Sequence, residues 1–238
     1  MNCILLPKNV KRISEPQQVM HIKKILKSKV GDSLSIGEMG GNIGKATIVE
    51  INENEILLCD VILDKKPPEK LDVTVILALP RPKVLRRLIM DMTSLGVNKL
   101  IIVNSYRSQK SYWQSPLLEC IDEFVFEGLQ QAIDTVPLIV EFKKRFKPFV
   151  EDEFPALLGN AVIAHPYATQ SWKAYLEVVK CNTKETMPKI LCIGAEGGWI
   201  DYEVDLLCQH GCTSVSLGPR ILRTEAVANV LLGHWLKA

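Results

Sequence analysis

Between residues 189 and 225 the chain twice runs from a short apolar segment into a loop of special backbone and then towards a helix. This repeated plan restricts the fold more than any other feature. The apolar run 190–193 has the length of a buried strand and ends in Gly194-Ala195-Glu196-Gly197-Gly198. Asp201 is expected to cap a helix whose apolar face is Val204, Leu207 and Cys208, with Gly211 as its stop. A second strand, expected over 213–217, leads into Gly218-Pro219 and a loop carrying Arg220, Arg223, Thr224 and Glu225. Parallel sheets place ligands just outside the carboxyl ends of their strands. Two such loops side by side make one pocket.

The rest of the chain permits this plan. Its 238 residues suffice for one large or two small domains with a real core. With 47% hydrophobic and 24% charged residues it has the composition of a globular protein. No apolar run reaches the ~20 residues that span a bilayer, and the start, MNCILLPKNVKR, is too briefly apolar for a secretory signal. A cytoplasmic protein without membrane contact is expected. The seven cysteines form no CxxC pair, so neither a metal site nor a disulfide framework is expected. The net charge of +2 hides an asymmetry. Residues 1–30 and 81–110 each carry a local balance of +6, leaving −10 for the remainder. Two basic clusters on an acidic body are the footprint of a polyanion-binding face.

In chain order, residues 1–64 read as short strands around one helix. That helix would begin near Pro16 and carry Val19, Ile22, Ile25 and Leu26 on its apolar side, with Lys23, Lys24 and Lys27 between them. Strands at this spacing suggest a small β-barrel. The segment DKKPPEKLD, residues 64–72, reads as a linker. Beyond it strands and helices alternate, as in an α/β domain. Expected there are strands over 73–79, 99–103, 137–141 and 161–164, and helices over 83–95 and 117–132. Thr224 is expected to cap a final helix through Val227, Leu231 and Trp235. No GxGxxG follows a strand and no GxxxxGK[ST] occurs, which disfavours hydride transfer and ATP-driven chemistry.

The segments IGAEGG and SLGPRILRTEAV resemble the two cofactor loops of the RsmE-type ribosomal RNA (uracil-N3)-methyltransferases, members of the SPOUT superfamily. The resemblance extends to AHPYA at 164–168, to NSYRSQKS after the second strand of the α/β part, and to VMHIKKILKSKVGDSLSI near the N-terminus. It implies an α/β fold with a deep trefoil knot (the SPOUT methyltransferase domain, 72–238) preceded by a small PUA-like β-barrel (1–68). It further implies a homodimer that uses S-adenosylmethionine (SAM) to methylate N3 of a uridine in 16S ribosomal RNA of the small subunit. The cofactor would contact Ile193, Gly194, Gly197 and Gly198 in the first loop. In the second it would meet Leu217, Gly218, Ile221 and Leu222, with Thr224 and Ala226 beyond, and His165 in the third. The chain departs from the family at Ala195, where proline is usual, and near Asp91, Ser94, Ile133 and Asp134. Those departures leave open a catalytically inactive RNA-binding assembly factor, or a SPOUT enzyme acting on another RNA.

Methyl transfer to N3 needs a proton removed or a uracil anion stabilised. Arg223 and Arg220 in the second loop, and Arg107 by its resemblance to the family's basic loop, are expected to supply the cation. Glu196 or Glu225 would accept the proton, with a capping or salt-bridge role equally open for Glu196. Glu225, beside the expected cap, reads rather as a salt-bridge or capping residue. Phosphate contacts are expected from Arg12, Lys23, Lys24 and Lys27 and from Arg81, Arg86, Arg107 and Arg220. A cysteine nucleophile, needed for carbon-5 methylation, has no candidate, since Cys192 sits inside a buried strand.

Overall fold

The computed structural model describes residues 1–157, 159–181 and 187–236. The chain forms two compact units, Met1–Glu69 with Glu123–Pro137, and Lys70–Asp122 with Leu138–Ala238.

The first unit is built on β1 (Ile4–Leu6), β2 (Arg12–Ile13), β3 (Ser33–Glu38), β4 (Ile43–Ile51) and β5 (Ile56–Lys65), in the order β1-β3-β4-β5-β2. β1 runs parallel to β3, and the other pairs are antiparallel. Alternate residues such as Leu34, Ile36, Ala46, Ile48, Ile56 and Leu58 point to one core, against Val19 and Ile22. The helix α1 (Pro16–Met20) opens at Pro16, whose missing N–H costs nothing in a first turn. Its continuation, His21–Leu26, is wound more loosely and stops at Lys27 in a left-handed conformation. The expected apolar side therefore ends at Ile22: Ile25 and Leu26 are exposed, because the chain leaves α-geometry at His21. Residues 123–137 complete this unit. Buried Gln18 donates to the Leu5 carbonyl and to Gln130 Oε1, and Gln130 accepts from the N–H groups of Asn2 and Cys3.

The second unit holds six parallel strands: β6 (Leu71–Ala78), β7 (Val97–Val103), β8 (Ile139–Lys143), β9 (Ala161–Ala164), β10 (Ile190–Ile193) and β11 (Cys212–Val215). Their order is β11-β9-β10-β6-β7-β8. β6 and β10 lie side by side where the sequence order reverses, the kind of place where α/β sheets bind ligands. The four residues of β10 are all buried, as fits a parallel strand covered on both faces. The helices of this unit are α2 (Pro82–Ser94), the turn α4 (Phe146–Pro148), α5 (Trp172–Cys181), α6 (Asp201–Gln209) and α7 (Thr224–Leu232); α3 (Ile121–Ala132) follows β7 in the chain but falls mostly in the first unit.

Several boundaries differ from expectation. α3 begins at Ile121, since the first turn from Pro116 is tighter than an α-helix. β8 starts two residues later than expected, at Ile139, and α5 fills a stretch that carried no expectation. Asp201 and Thr224 are the first helical residues of α6 and α7 rather than their caps; Ile200 and Arg223 occupy the capping positions with extended backbone. No described helix is long and apolar enough to cross a membrane.

Candidate active site

The loops after β9 and β10 meet the segment before α7 around a cleft of about 190 Å³. Ala164, Ile193 and Gly194 form its base at the strand ends, and Ile221, Leu222 and Val227 one apolar side. A smaller cavity of about 60 Å³, bounded by Val215, Leu217, Gly218 and Arg220, shares His165, Ile221 and Leu222 with it.

The glycine loop has a physical reason at two positions. The Gly198 N–H donates to the Ala195 carbonyl at 2.8 Å, closing a turn in which Gly198 takes φ +70°. A Cβ on Gly194 would stand 3.0 Å from Gly198 Cα and 3.2 Å from the Trp199 nitrogen, so side chains are excluded where the turn folds back. Arg107 packs over Gly197 and its Nη1 donates to the Gly197 carbonyl oxygen.

The charged groups divide by what holds them. Glu196 lines the cleft, and its carboxylate accepts from the Arg81 N–H at 3.1 and 3.3 Å, capping the start of α2. Glu225 is not a cleft wall; it accepts from Arg87 Nη2 at 2.7 Å. Burial pushes its carboxyl up, but the Arg87 hydrogen bond, its own backbone N–H and the charges of Arg87 and Arg223 outweigh this and hold it below its ordinary value. The salt-bridge expectation for Glu225 therefore stands. Burial lowers the His165 pKa, opposed by Asp201 and aided by Arg107. Cys192 is fully buried, and burial pushes its thiol well up, which fits a core residue.

Of the residues singled out from sequence, Arg107, Glu196, His165, Ile193, Gly194, Gly197 and Gly198 line one cleft with Ile221, Leu222 and Thr224. Leu217, Gly218 and Arg220 border the adjoining cavity. Arg223 is exposed just before α7, and Ala226 lies on the exposed side of α7, where Val227 faces the cleft instead. Arg12, Lys24 and Lys27 are exposed on the first unit; the Lys23 amine donates to the carbonyls of Asn52 and Glu53. Arg81 and Arg86 are exposed on the second unit.

Sequence reasoning missed Trp199, Tyr167 and Val227 as walls, and it missed Glu203 altogether. Glu203 is 2% exposed and accepts from the N–H groups of Tyr106 (2.8 Å) and Ile200 (3.0 Å) and from Ser105 Oγ (3.3 Å). The available signal was its place three residues after the true capping position, where a glutamate reaches back to the cap N–H. An isoleucine at that position concealed it.

Residues 67–236 match the family described as RNA methyltransferase domain. The Ribosomal RNA small subunit methyltransferase E of Treponema pallidum is 27% identical over 210 residues, covering 87% of this chain and 78% of that one. The protein of the same name from Rickettsia conorii is 26% identical over 220 residues, covering 91% and 85%. Among solved structures, the Neisseria gonorrhoeae Ribosomal RNA small subunit methyltransferase E bound to S-adenosyl methionine superposes with TM-score 0.72 at 17% identity, covering 98% of this chain and 96% of that one. A Legionella pneumophila structure described as a methyltransferase with bound SAM gives 0.75 at 19% identity, with the same coverage. At these identities the structures show a shared fold.

Proposed function

The chain belongs to the family of RNA methyltransferase domains, and from that membership we propose that it methylates N3 of a uridine in 16S ribosomal RNA, using SAM. The observation that carries this reading is the convergence of the loops after β9 and β10 and before α7 on one cleft, with Arg107 at its edge.

The cleft fits the cofactor by its own chemistry. Its apolar side suits an adenine ring, and Gly194 and Gly198 bring backbone to the cleft with no side chain of their own. His165 Nδ1 and Trp199 Nε1, on two residues that line it, are buried without a hydrogen-bond partner among the described residues. Ile193, Gly194, Gly197 and Gly198 would hold SAM on one side, and Leu217, Gly218, Ile221, Leu222 and Thr224 on the other. When bound, SAM supplies an already activated methyl group, so the protein's work is positioning and charge.

Arg107 and Arg223 stabilise negative charge on the uracil as its N3 proton leaves. Glu196 holds that proton on its carboxylate, being the one of the two candidate carboxylates that lines the cleft. Arg12, Lys23, Lys24, Lys27, Arg81, Arg86 and Arg220 contact phosphates, which orient the RNA without reading its sequence.

Residues 1–68 are a PUA-like RNA-binding barrel, supported by five short strands around one core. Residues 72–238 are a SPOUT domain whose C-terminal segment forms a trefoil knot; the reversed strand order and the packing of α7 on both α2 and β10 support this. The enzyme works in the cytoplasm as a homodimer, a reading supported by exposed Val178, Val230 and Leu236 on and beside α5 and α7. The test incubates the purified protein with labelled SAM and small ribosomal subunits that lack the modification, followed by nucleoside mass spectrometry. Appearance of 3-methyluridine is expected. SAM binding without methylated rRNA would sink the substrate assignment.

A further inference from the structure

Glu203 lies outside the cleft walls and has no part in the chemistry just described, yet it is the buried charged residue nearest in sequence to the glycine loop. Both of its oxygens are engaged by groups from two different loops. Oε1 takes the Tyr106 N–H, while Oε2 takes Ser105 Oγ and the Ile200 N–H. Ser105 and Tyr106 immediately precede Arg107, and Ile200 closely follows the glycines over which Arg107 lies. The same loop is fastened at its other end by Ser108 Oγ, which donates to the Leu79 carbonyl at 2.7 Å beyond the end of β6. Arg107 itself is exposed and long, a side chain that carries much rotamer freedom unless its backbone is fixed.

We propose that Glu203 is a positioning residue for Arg107: by clamping Ser105 and Tyr106 to the start of α6, it sets the Arg107 guanidinium over the Gly197 carbonyl at the cleft edge. A carboxylate suits the task because it is acceptor-only and meets three donors at once. A glutamine of the same shape turns its amide NH2 either to the Tyr106 N–H at the Oε1 position or to Ser105 and Ile200 at the Oε2 position, so it keeps the volume and loses at least one of the three contacts. The inference rests on the methyltransferase reading for its effect on turnover, and on geometry alone for its effect on the loop.

The experiment compares wild type, Glu203→Gln, Arg107→Ala and the double variant on rRNA methylation, with SAM affinity by calorimetry and backbone amide exchange measured on all four. Misplacing a group by about an ångström costs on the order of 100-fold in rate, so Glu203→Gln is expected to lower kcat by about that factor and SAM affinity far less. In the Arg107→Ala background it should lower kcat no further, because its effect passes through a side chain already removed. Amide exchange at Tyr106 and Arg107 should rise while Cys192 and Ile193 stay protected. Additive losses in the double variant would overturn the proposal, as would unchanged exchange at Tyr106. Should Glu203→Gln fail to fold, Ser105→Ala removes one of the three donors and is expected to give a smaller loss, also silent in the Arg107→Ala background. A wild type that methylates no rRNA refutes the proposed function instead, and the exchange data still decide the clamp.

Discussion

The two loops that announce the site in the sequence are held in opposite ways. The loop after β10 is closed by its own hydrogen bond, folds back so tightly that Gly194 excludes a Cβ, and is overlaid by Arg107. The loop before α7 stands open: Ile221 is 69% exposed, and a Cβ added at Gly218 would meet nothing within 4 Å. Both contain a glycine with positive φ, so sequence marks them alike. The difference teaches that one half of the cleft is shaped by the chain's own packing, and the other half has exposed apolar residues to give to a ligand.

The sharpest way to break that contrast is to enlarge a glycine on each side. Gly194→Val drives side-chain atoms into the backbone of Gly198 and Trp199, which cannot yield without opening the turn. Overpacking costs about 1–3 kcal/mol, and because the strain falls on the proposed cofactor wall we expect SAM affinity to drop by up to about 150-fold. Gly218→Val strains a φ of +112° but has room to relax, and should cost about tenfold or less. Equal losses by calorimetry would mean that both loops are equally preformed.

The arginines extend the comparison to turnover. Arg107 is fixed over the glycine loop, and its removal is expected to lower kcat on the order of 100-fold, as for other preorganised charge-stabilising groups. Arg223, exposed on the open loop, should cost about tenfold, equivalent to roughly 1.4 kcal/mol. SAM affinity should change less than kcat in both variants. A larger loss for Arg223→Ala in single-turnover assays would place the main charge on the open loop.

Legibility followed the same division. The strand-glycine-helix plan placed β10, its loop and α6 correctly because a four-residue apolar run between turn signals admits few other folds. The amphipathic reading of residues 19–26 extended one turn too far, since a 3.6-residue period assumes α-geometry and the chain is wound more loosely from His21 to Leu26. Ala226 was carried over with its motif, but helix geometry turns it outward and brings Val227 to the cleft. Glu203 was hidden for another reason. Its role depends on Ser105 and Tyr106, about a hundred residues away in the chain, and only the parallel order of the strands brings them to the same sheet end.

A smaller effect tests how the open loop's helix is anchored. Arg87→Ala removes the partner of Glu225, whose lowered pKa makes it a stabilising carboxylate above its ordinary value of 4.5. With Arg87 largely exposed, screening limits the contribution to about 0.2–1 kcal/mol. The difference in Tm between variant and wild type should be present near neutrality and vanish as the pH falls through the folded-state pKa of Glu225. A difference that persists in acid would assign it to lost packing of the arginine stem.

His165 gives the smallest expected effect and the one most specific to the packed side of the cleft. Burial, aided by Arg107 and opposed by Asp201, lowers its pKa below the ordinary 6.5. Between the lowered folded value and 6.5 the unfolded chain binds more protons than the folded one, so stability rises with pH across that window and is lost on acidification. His165→Gln removes the titration and should flatten the slope of the urea midpoint below about pH 6.5. With SAM placed beside His165 as proposed, the cofactor is expected to bind more weakly to wild type as the pH falls through this window. An identical slope in wild type and variant would show that Asp201 and the cleft solvate the imidazolium as well as water does, and that the third loop is as open as the loop before α7.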